Sequence, residues 1–464
     1  TYNIYEDGSG NRVRATEATP ENKLLESWTY KGLGALGFTD DPNLNDTNLR
    51  SATYFVGETQ EEIADRTVSF EFGSTTARNT TYNIYEDGSG NRVRATEATP
   101  ENKLLESWTY KGLGALGFTD DPNLNDTNLR SATYFVGETQ EEVADRTVSF
   151  KFGSTTARNT TYNIYEDGSG NRVRATEATP ENKLLESWTY KGLGALGFTD
   201  DPNLNDTNLR SATYFVGETQ EEVADRTVSF EFGSTTARNT TYNIYEDGSG
   251  NRVRATEATP ENKLLESWTY KGLGALGFTD DPNLNDTNLR SATYFVGETQ
   301  EEIADRTVSF EFGTTTARNT TYNIYEDGSG NRVRATEATP ENKLLESWTY
   351  KGLGALGFTD DPNLNDTNLR SATYFVGEVQ EEVADRTVSF EFGSTTARNT
   401  TYNIYEDGSG NRVRATEATP ENKLLESWTY KGLGALGFTD DPNLNDTNLR
   451  SATYFVGEVQ EEVA

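Results

Sequence analysis

Six oxygen-bearing side chains crowd one short stretch of the chain: Asp40, Asp41, Asn43, Asn45, Asp46 and Asn48. Calcium takes roughly six to eight such oxygens, carboxylates and amide carbonyls alike. Asp41-Pro-Asn43-Leu-Asn45 has the alternating donors that open a helix-loop-helix calcium loop. The pattern then departs: Asp46 stands where that loop needs glycine, and Ala52 where it needs the closing glutamate. Asp40, Asp41, Asn43, Asn45 and Asp46 are therefore the candidate metal ligands, with Glu58, Glu61, Glu62 or Asp65 needed to complete the shell. The same residues also read as a solvated turn whose Asp and Asn side chains cap their own backbone.

Asn45-Asp-Thr47 and Asn79-Thr-Thr81 are N-glycosylation sequons, and both are expected in loops. Trp28, Tyr30 and Tyr54 are candidates for an aromatic platform that stacks on sugars; the competing reading is core and junction packing, where tyrosine keeps a wet tip. Lys23 and Lys31 are the regularly placed lysines. Lys31, at the end of the Trp28-bearing run, is the candidate for an intramolecular Lys–Asn amide that would staple the fold. Other chemistry has little to work with. Histidine, cysteine and methionine number 0 each, which leaves no imidazole base, thiolate or soft-metal ligand. Glu61–Glu62 and Asp40–Asp41 are neighbours within loops, not carboxylates facing each other across a cleft. No cofactor beyond calcium is expected, and the chain is read as non-enzymatic.

What must position these groups is a repeat. Residues 1–80 recur from Thr81, Thr161, Thr241 and Thr321, and then from Thr401 for 64 residues. The copies differ at few places: Ile63 is replaced by Val143, Val223, Val383 and Val463, Glu71 by Lys151, Ser74 by Thr314, and Thr59 by Val379 and Val459. Such a period must be read before anything else, because it makes one copy the unit of folding.

Within a copy, short runs alternate with turns. Thr1–Tyr5 and Asn11–Ala15 flank Glu6-Asp-Gly-Ser-Gly10 and predict a hairpin. Leu24–Tyr30 places Leu24, Glu26, Trp28 and Tyr30 on one face, the face expected inside. Ala52–Val56 is a further strand, and Thr59–Ala64 a loop or single helical turn. Arg66–Phe72 is expected to turn Val68, Phe70 and Phe72 inward. The expected fold is all-β: a tandem array of small β-sandwich or barrel-like modules in an elongated rod. The modules are 1–80, 81–160, 161–240, 241–320 and 321–400, then a partial module 401–464 lacking its last strand; a frame starting 65–144 is the alternative. Residue 1 is Thr, as expected of a chain whose leader was removed or of a piece of a longer array.

The net charge of -34 argues against nucleic acid and anionic membrane surfaces as partners. No apolar run reaches the roughly 18 residues of a membrane span. Near-identical copies suit a spacer, fibre or multivalent binder better than a catalyst. The expectation is an extracellular or cell-surface structural protein, a stalk or filament subunit whose copies associate end to end by strand complementation. The alternative is a multivalent adhesin or carbohydrate-binding protein with one weak site per repeat, taking a glycan or surface ligand. Binding of Thr-rich faces to an ordered surface such as ice needs flat Thr ranks, and Thr75-Thr76 and Thr80-Thr81 do not read as one.

Overall fold

In the computed structural model the described residues are 1–30, 49–70, 76–113, 128–151, 154, 156–193, 208–231, 233–234, 236–273, 288–299, 301–314, 316–327, 329–353, 368–377, 379, 381–394, 396–407, 409–420, 422–433 and 447–456. Among these residues the chain forms 29 strands, five single-turn 3₁₀ segments and no α-helix. Two compact units are distinguished: residues 1–220 with 230–235, and residues 221–229 with 236–464.

The first unit runs β1 (Tyr2–Glu6), β2 (Arg12–Arg14), β3 (Lys23–Tyr30), β4 (Leu49–Val56), β5 (Ile63–Phe70), β6 (Ala77–Glu86), β7 (Arg92–Arg94), β8 (Leu104–Lys111), β9 (Leu129–Val136), β10 (Val143–Phe150), β11 (Ala157–Glu166), β12 (Arg172–Arg174), β13 (Lys183–Lys191) and β14 (Leu209–Val216). The long strands pair antiparallel with the next long strand in sequence: β1 with β3, β3 with β4, β4 with β5, and β5 with β6. The pattern then continues through β8, β9, β10, β11, β13 and β14. The short strands β2, β7 and β12 pair with the far ends of β1, β6 and β11. The second unit repeats the pattern, as where Ile303–Phe310 pairs with both Leu289–Val296 and Ala317–Glu326.

The all-β class and the 80-residue period are thus those expected from the sequence. Among the described residues, closure of each copy into its own sandwich or barrel is not seen. The free edge of β5 is taken by β6, the first strand of the next copy, so the sheet meanders through the joint. A cut at residue 80 falls inside β6, and a cut at residue 65 falls inside β5.

Local chemistry explains the elements. In the hairpin of the second copy, Asp87 Oδ1 accepts the amides of Ser89 and Asn91 at 2.8 and 2.7 Å, and Gly90 takes φ 84°. This is the predicted Asp-Gly-Ser-Gly turn, with the left-handed residue at its second glycine. Asn102 Oδ1 accepts the Thr99 amide at 2.8 Å and closes the turn around Pro100. Gly137, at φ 130°, leads out of β9, and a Cβ built there would lie 2.5 Å from the Glu141 carbonyl oxygen. Both the backbone angle and the close approach require glycine. Gly137→Ala is therefore expected to cost about 2 kcal/mol or more, read as an early step in the urea profile.

One face of the meander is the core. In the second copy Tyr82, Ile84, Trp108, Tyr110, Leu129, Ala132, Val148 and Phe150 form one buried cluster. Tyr82 and Tyr110 meet edge to face with centroids 6.0 Å apart, the arrangement ring quadrupoles favour. Trp28, Tyr30, Val68 and Phe70 are buried as the alternation predicts. Phe72 lies outside the described residues, and its counterparts reverse the expectation: Phe312 and Phe392 are 77% and 79% exposed. The pairing slips between Ser309 and Phe310, which ends the regular two-residue alternation before position 72 is reached. The Phe312 ring instead lies 4.6 Å from the Arg290 guanidinium and 5.5 Å from the Lys271 ammonium.

Candidate functional sites: the repeat joint and the hydroxyl face

The joint is built by a bulge. The register of β4 and β5 shifts between Tyr54 and Phe55, so Phe55 opposes Ala64 while Tyr54 opposes Arg66. Asp65 is the extra residue. Its side chain is 3% exposed, and such a carboxylate needs compensation. Two guanidiniums supply it: Arg66 at 2.9 Å from its own strand and Arg94 at 3.0 Å from the next copy. The same bulge takes the Ala64 carbonyl out of the regular ladder. It accepts the Tyr85 hydroxyl at 2.7 Å and the Asn83 amide nitrogen at 3.1 Å, both from the next copy. Burial pushes the Tyr85 phenol up to about 12. In the following joint Asp145 holds Arg146 and Arg174, each at 2.9 Å.

An apolar contact accompanies the polar one. Val143 of β10 packs with Tyr165, Ala175 and Ala178 of the next copy, beside Val136, Val173 and Leu184. In the first copy the counterparts Tyr5, Ala15, Ala18 and Leu24 line a cleft of about 420 Å³ together with Thr19, Pro20, Asn22, Gln60 and Glu62. Ala15 is exposed there, whereas Ala95 and Ala175 are 1% and 0% exposed. Position 63, the Ile/Val of the copies, is the residue that fills this surface between copies.

A pH prediction follows from the joint. A tyrosine whose folded pKa exceeds its unfolded one stabilises the fold fully below about pH 10, and that contribution is lost as pH rises through about 12. Spectrophotometric titration at the phenolate band is expected to show a delayed fraction of the tyrosines. Tyr85→Phe removes part of that fraction.

A second cluster surrounds the tryptophan. Trp108 Nε1 donates to Glu106, whose carboxylate also accepts Arg92 Nε and Nη2 at 3.1 Å each. The Arg92 guanidinium lies 5.3 Å from the Trp108 ring. Shared facing of Glu26 and Trp28 is legible from alternation; the arginine that closes the group comes from the neighbouring hairpin and is not.

The opposite face of the sheet carries rows of small polar side chains, with Lys111 opposite Asn79 on the same face. Thr53 opposes Thr67, Thr67 opposes Thr81, and Thr81 opposes Thr109. Their hydroxyls meet in pairs at 2.9 Å, as at Thr53–Thr67, Thr81–Thr109 and Thr133–Thr147. Ser107 Oγ donates to Asn83 Oδ1 at 2.8 Å. These side chains are half-buried within the sheet surface. Regular threonine ranks therefore exist, but they run across strands and are invisible to a search along the chain.

The remaining sequence candidates separate as follows. Asp40, Asp41, Asn43, Asn45, Asp46 and Lys31 lie outside the described residues. Asp65 is engaged by its two arginines, and Glu62 Oε1 accepts the Leu24 amide at 2.8 Å. Trp28 and Tyr30 are in the core, while Tyr54 is half-buried with the Arg66 guanidinium 4.2 Å from its ring. Asn79 is not in a loop but within β6, on the hydroxyl face opposite Ser69 and Lys111. The β-branched Thr80 and Thr81 carry the strand through the copy boundary, with Thr80 1% exposed and its hydroxyl donating to the Gly112 carbonyl at 2.8 Å. Lys271, a counterpart of Lys31, is exposed.

No family model and no curated protein matches the chain. Among solved structures, the crystal structure of TcdB2-TccC3-TEV aligns with 92% of this chain and 24% of that one, at 9% identity and a TM-score of 0.12. A likeness at that level carries no argument about fold or function.

Proposed function

We propose that the chain is a non-catalytic extracellular structural protein, a repetitive stalk or filament subunit whose copies join end to end by strand complementation. The observation that carries this reading is the joint itself. A strand of the Ile63–Phe70 type enters the next copy by ladder pairing, by the Asp65–Arg94 ion pair and by apolar packing at position 63. Tyr5 and Leu24, the counterparts of Tyr165 and Leu184 at the joint, line a cleft in the first copy. A strand added to an exposed edge gains affinity from main-chain hydrogen bonds and specificity from alternate side chains. The extracellular placement rests on the Asn45-Asp-Thr47 sequon and on the repeated architecture. Calcium at Asp40–Asp46 belongs to the same proposal, and a melting temperature unmoved by millimolar calcium would remove it.

The test uses the whole chain and a labelled peptide with the sequence of residues 63–72. Saturable binding by fluorescence anisotropy, weakened when the peptide carries Asn in place of Asp65, is expected. Sedimentation that stays monomeric at every concentration, together with no peptide binding, would overturn the reading.

A further inference from the structure

We propose that copies of this chain associate side by side, the sheet edge that carries Lys271, Arg290 and Phe312 docking on the opposite, acidic edge of a second molecule. In the second unit the strands Leu264–Lys271, Leu289–Val296 and Ile303–Phe310 are neighbours and run antiparallel. Lys271 ends the first strand, Arg290 stands at the start of the second, and Phe312 lies just past the third. One edge therefore gathers all three, with the Phe312 ring 4.6 Å from the Arg290 guanidinium and 5.5 Å from the Lys271 ammonium. The following copy repeats the group: the Phe392 ring lies 4.6 Å from Arg370 and 5.4 Å from Lys351. Both rings are mostly exposed, and Leu273 and Leu353 are exposed two residues beyond the lysines. Cations over the negative face of a ring hold its orientation, so little side-chain freedom is lost when a partner covers it.

Charge complementarity selects the occupant. Elsewhere in this copy cations are held by carboxylates: Lys263 by Glu246 at 3.1 Å, Arg254 by Asp225 at 3.0 Å and Arg306 by Asp305 at 2.9 Å. Lys271 and Arg290 face the ring instead. Among the described residues of this copy, Arg318 is a further exposed cation at the same edge, and Glu311 is the carboxylate there. The other ends of the same strands are acidic. Glu261 precedes Leu264–Lys271, Glu298 follows Leu289–Val296, and Glu257 closes the 3₁₀ turn Ala255–Glu257; all three are exposed. Between Glu257 and Glu261 stands Pro260, half-buried, in a turn fixed by the Thr259 amide donating to Asn262 Oδ1 at 2.8 Å. Carboxylates flanking an apolar ring are what the cations and Phe312 can receive.

Spacing favours a second copy over any other anion. Cations and carboxylates recur with the same 80-residue period, so two chains lying side by side satisfy every copy together, and weak contacts add by avidity. A polyanion with a different repeat matches fewer copies at once. The net charge of -34 repels at long range, but at roughly 0.15 M salt the Debye length is about 8 Å, and groups in contact decide the docking. The contact is heterologous: each molecule keeps one unused edge of each kind, so association continues past a dimer.

The experiment is sedimentation velocity of the whole chain at roughly 0.15 M salt, with excess peptide of residues 63–72 present to occupy the end-to-end joint. Concentration-dependent association is expected. One variant carries Lys271→Glu, repeated at the same position in every copy; another carries Glu257→Lys with Glu261→Lys, likewise repeated. Each variant alone should lose the association, and a mixture of the two should regain it, because the altered edges are again complementary. Phe312→Ser, made in every copy that has the ring, should weaken it. All these sites are exposed, so circular dichroism should be unchanged. Association that survives in either folded charge variant would overturn the proposal, as would a mixture that stays monomeric. So would retention of the unaltered chain on a sulfated polysaccharide with no self-association. Binding of the labelled peptide should be equal in all variants, so the stalk reading and this one fail separately.

Discussion

Asp145→Asn is expected to loosen one joint by about 3 kcal/mol, because a buried carboxylate is replaced while two guanidiniums remain. Asp145 is 3% exposed, and Arg174 approaches it from the next copy with only 13% of its own side chain exposed. Arg146 is 37% exposed and can regain water, which keeps the effect at the lower end of the range for a broken buried pair. The readout is native-state hydrogen exchange at amides of Val143–Phe150 and Ala157–Glu166, since a tandem array need not unfold in one step. The double variant Asp145→Asn with Arg174→Met should be more stable than Asp145→Asn alone. A charge stranded by the first change is removed by the second. If the single variant exchanges like the parent protein, the ion pair is not what secures the joint.

Trp108→Ala should have the larger effect, about 4 kcal/mol, confined to its own copy. Trp108 is 3% exposed and sits among Tyr82, Tyr110 and Leu129. Truncation leaves a cavity and removes one of the donors to Glu106, leaving Arg92 as the other. The chain has six tryptophans, one per copy, and those at positions 28, 108, 188, 268, 348 and 428 are all 2–3% exposed. Fluorescence is therefore expected to show one blue-shifted emission maximum. The alanine variant should lose about one sixth of the intensity without moving that maximum, and its urea profile should gain an early step. A uniform downward shift of the whole profile would instead show that copies do not unfold separately.

How much of this could be read from residues alone depends on the distance over which each cause acts. The Asp7–Asn11 turn, the Trp28 face and the Val68–Phe70 alternation are decided within a few positions, and they are legible. Asn11 holds the Asp7 carboxyl below its usual range through side-chain and backbone hydrogen bonds, a local effect of one turn. Its stabilisation is present above that range and fades as pH falls through the lowered value. The joint was not legible, because Asp65 and Arg94 are 29 positions apart and the bulge that turns Asp65 inward leaves no mark in hydropathy. Phe72 misled for the same reason: a register slip between Ser309 and Phe310, seen in the fourth copy, ends the alternation one step too early. The threonine ranks failed to show because they combine Thr53, Thr67, Thr81 and Thr109, which become neighbours only through pairing. Aspartate-rich composition and sequons, by contrast, draw the eye to Asp40–Asp46 and Asn79 without saying what surrounds them.

The joint between copies is chemically the same wherever both of its sides are described: a bulged aspartate, two arginines, a tyrosine hydroxyl on a bare carbonyl. Copy number is then a free variable of the gene. Unequal recombination that adds or deletes one whole unit severs no contact type and creates no foreign one, so lineages can lengthen or shorten the protein without a folding penalty. A cut that keeps an aspartate of the Asp65 type but removes the arginine of the next copy would leave that buried carboxylate without its cross-copy partner.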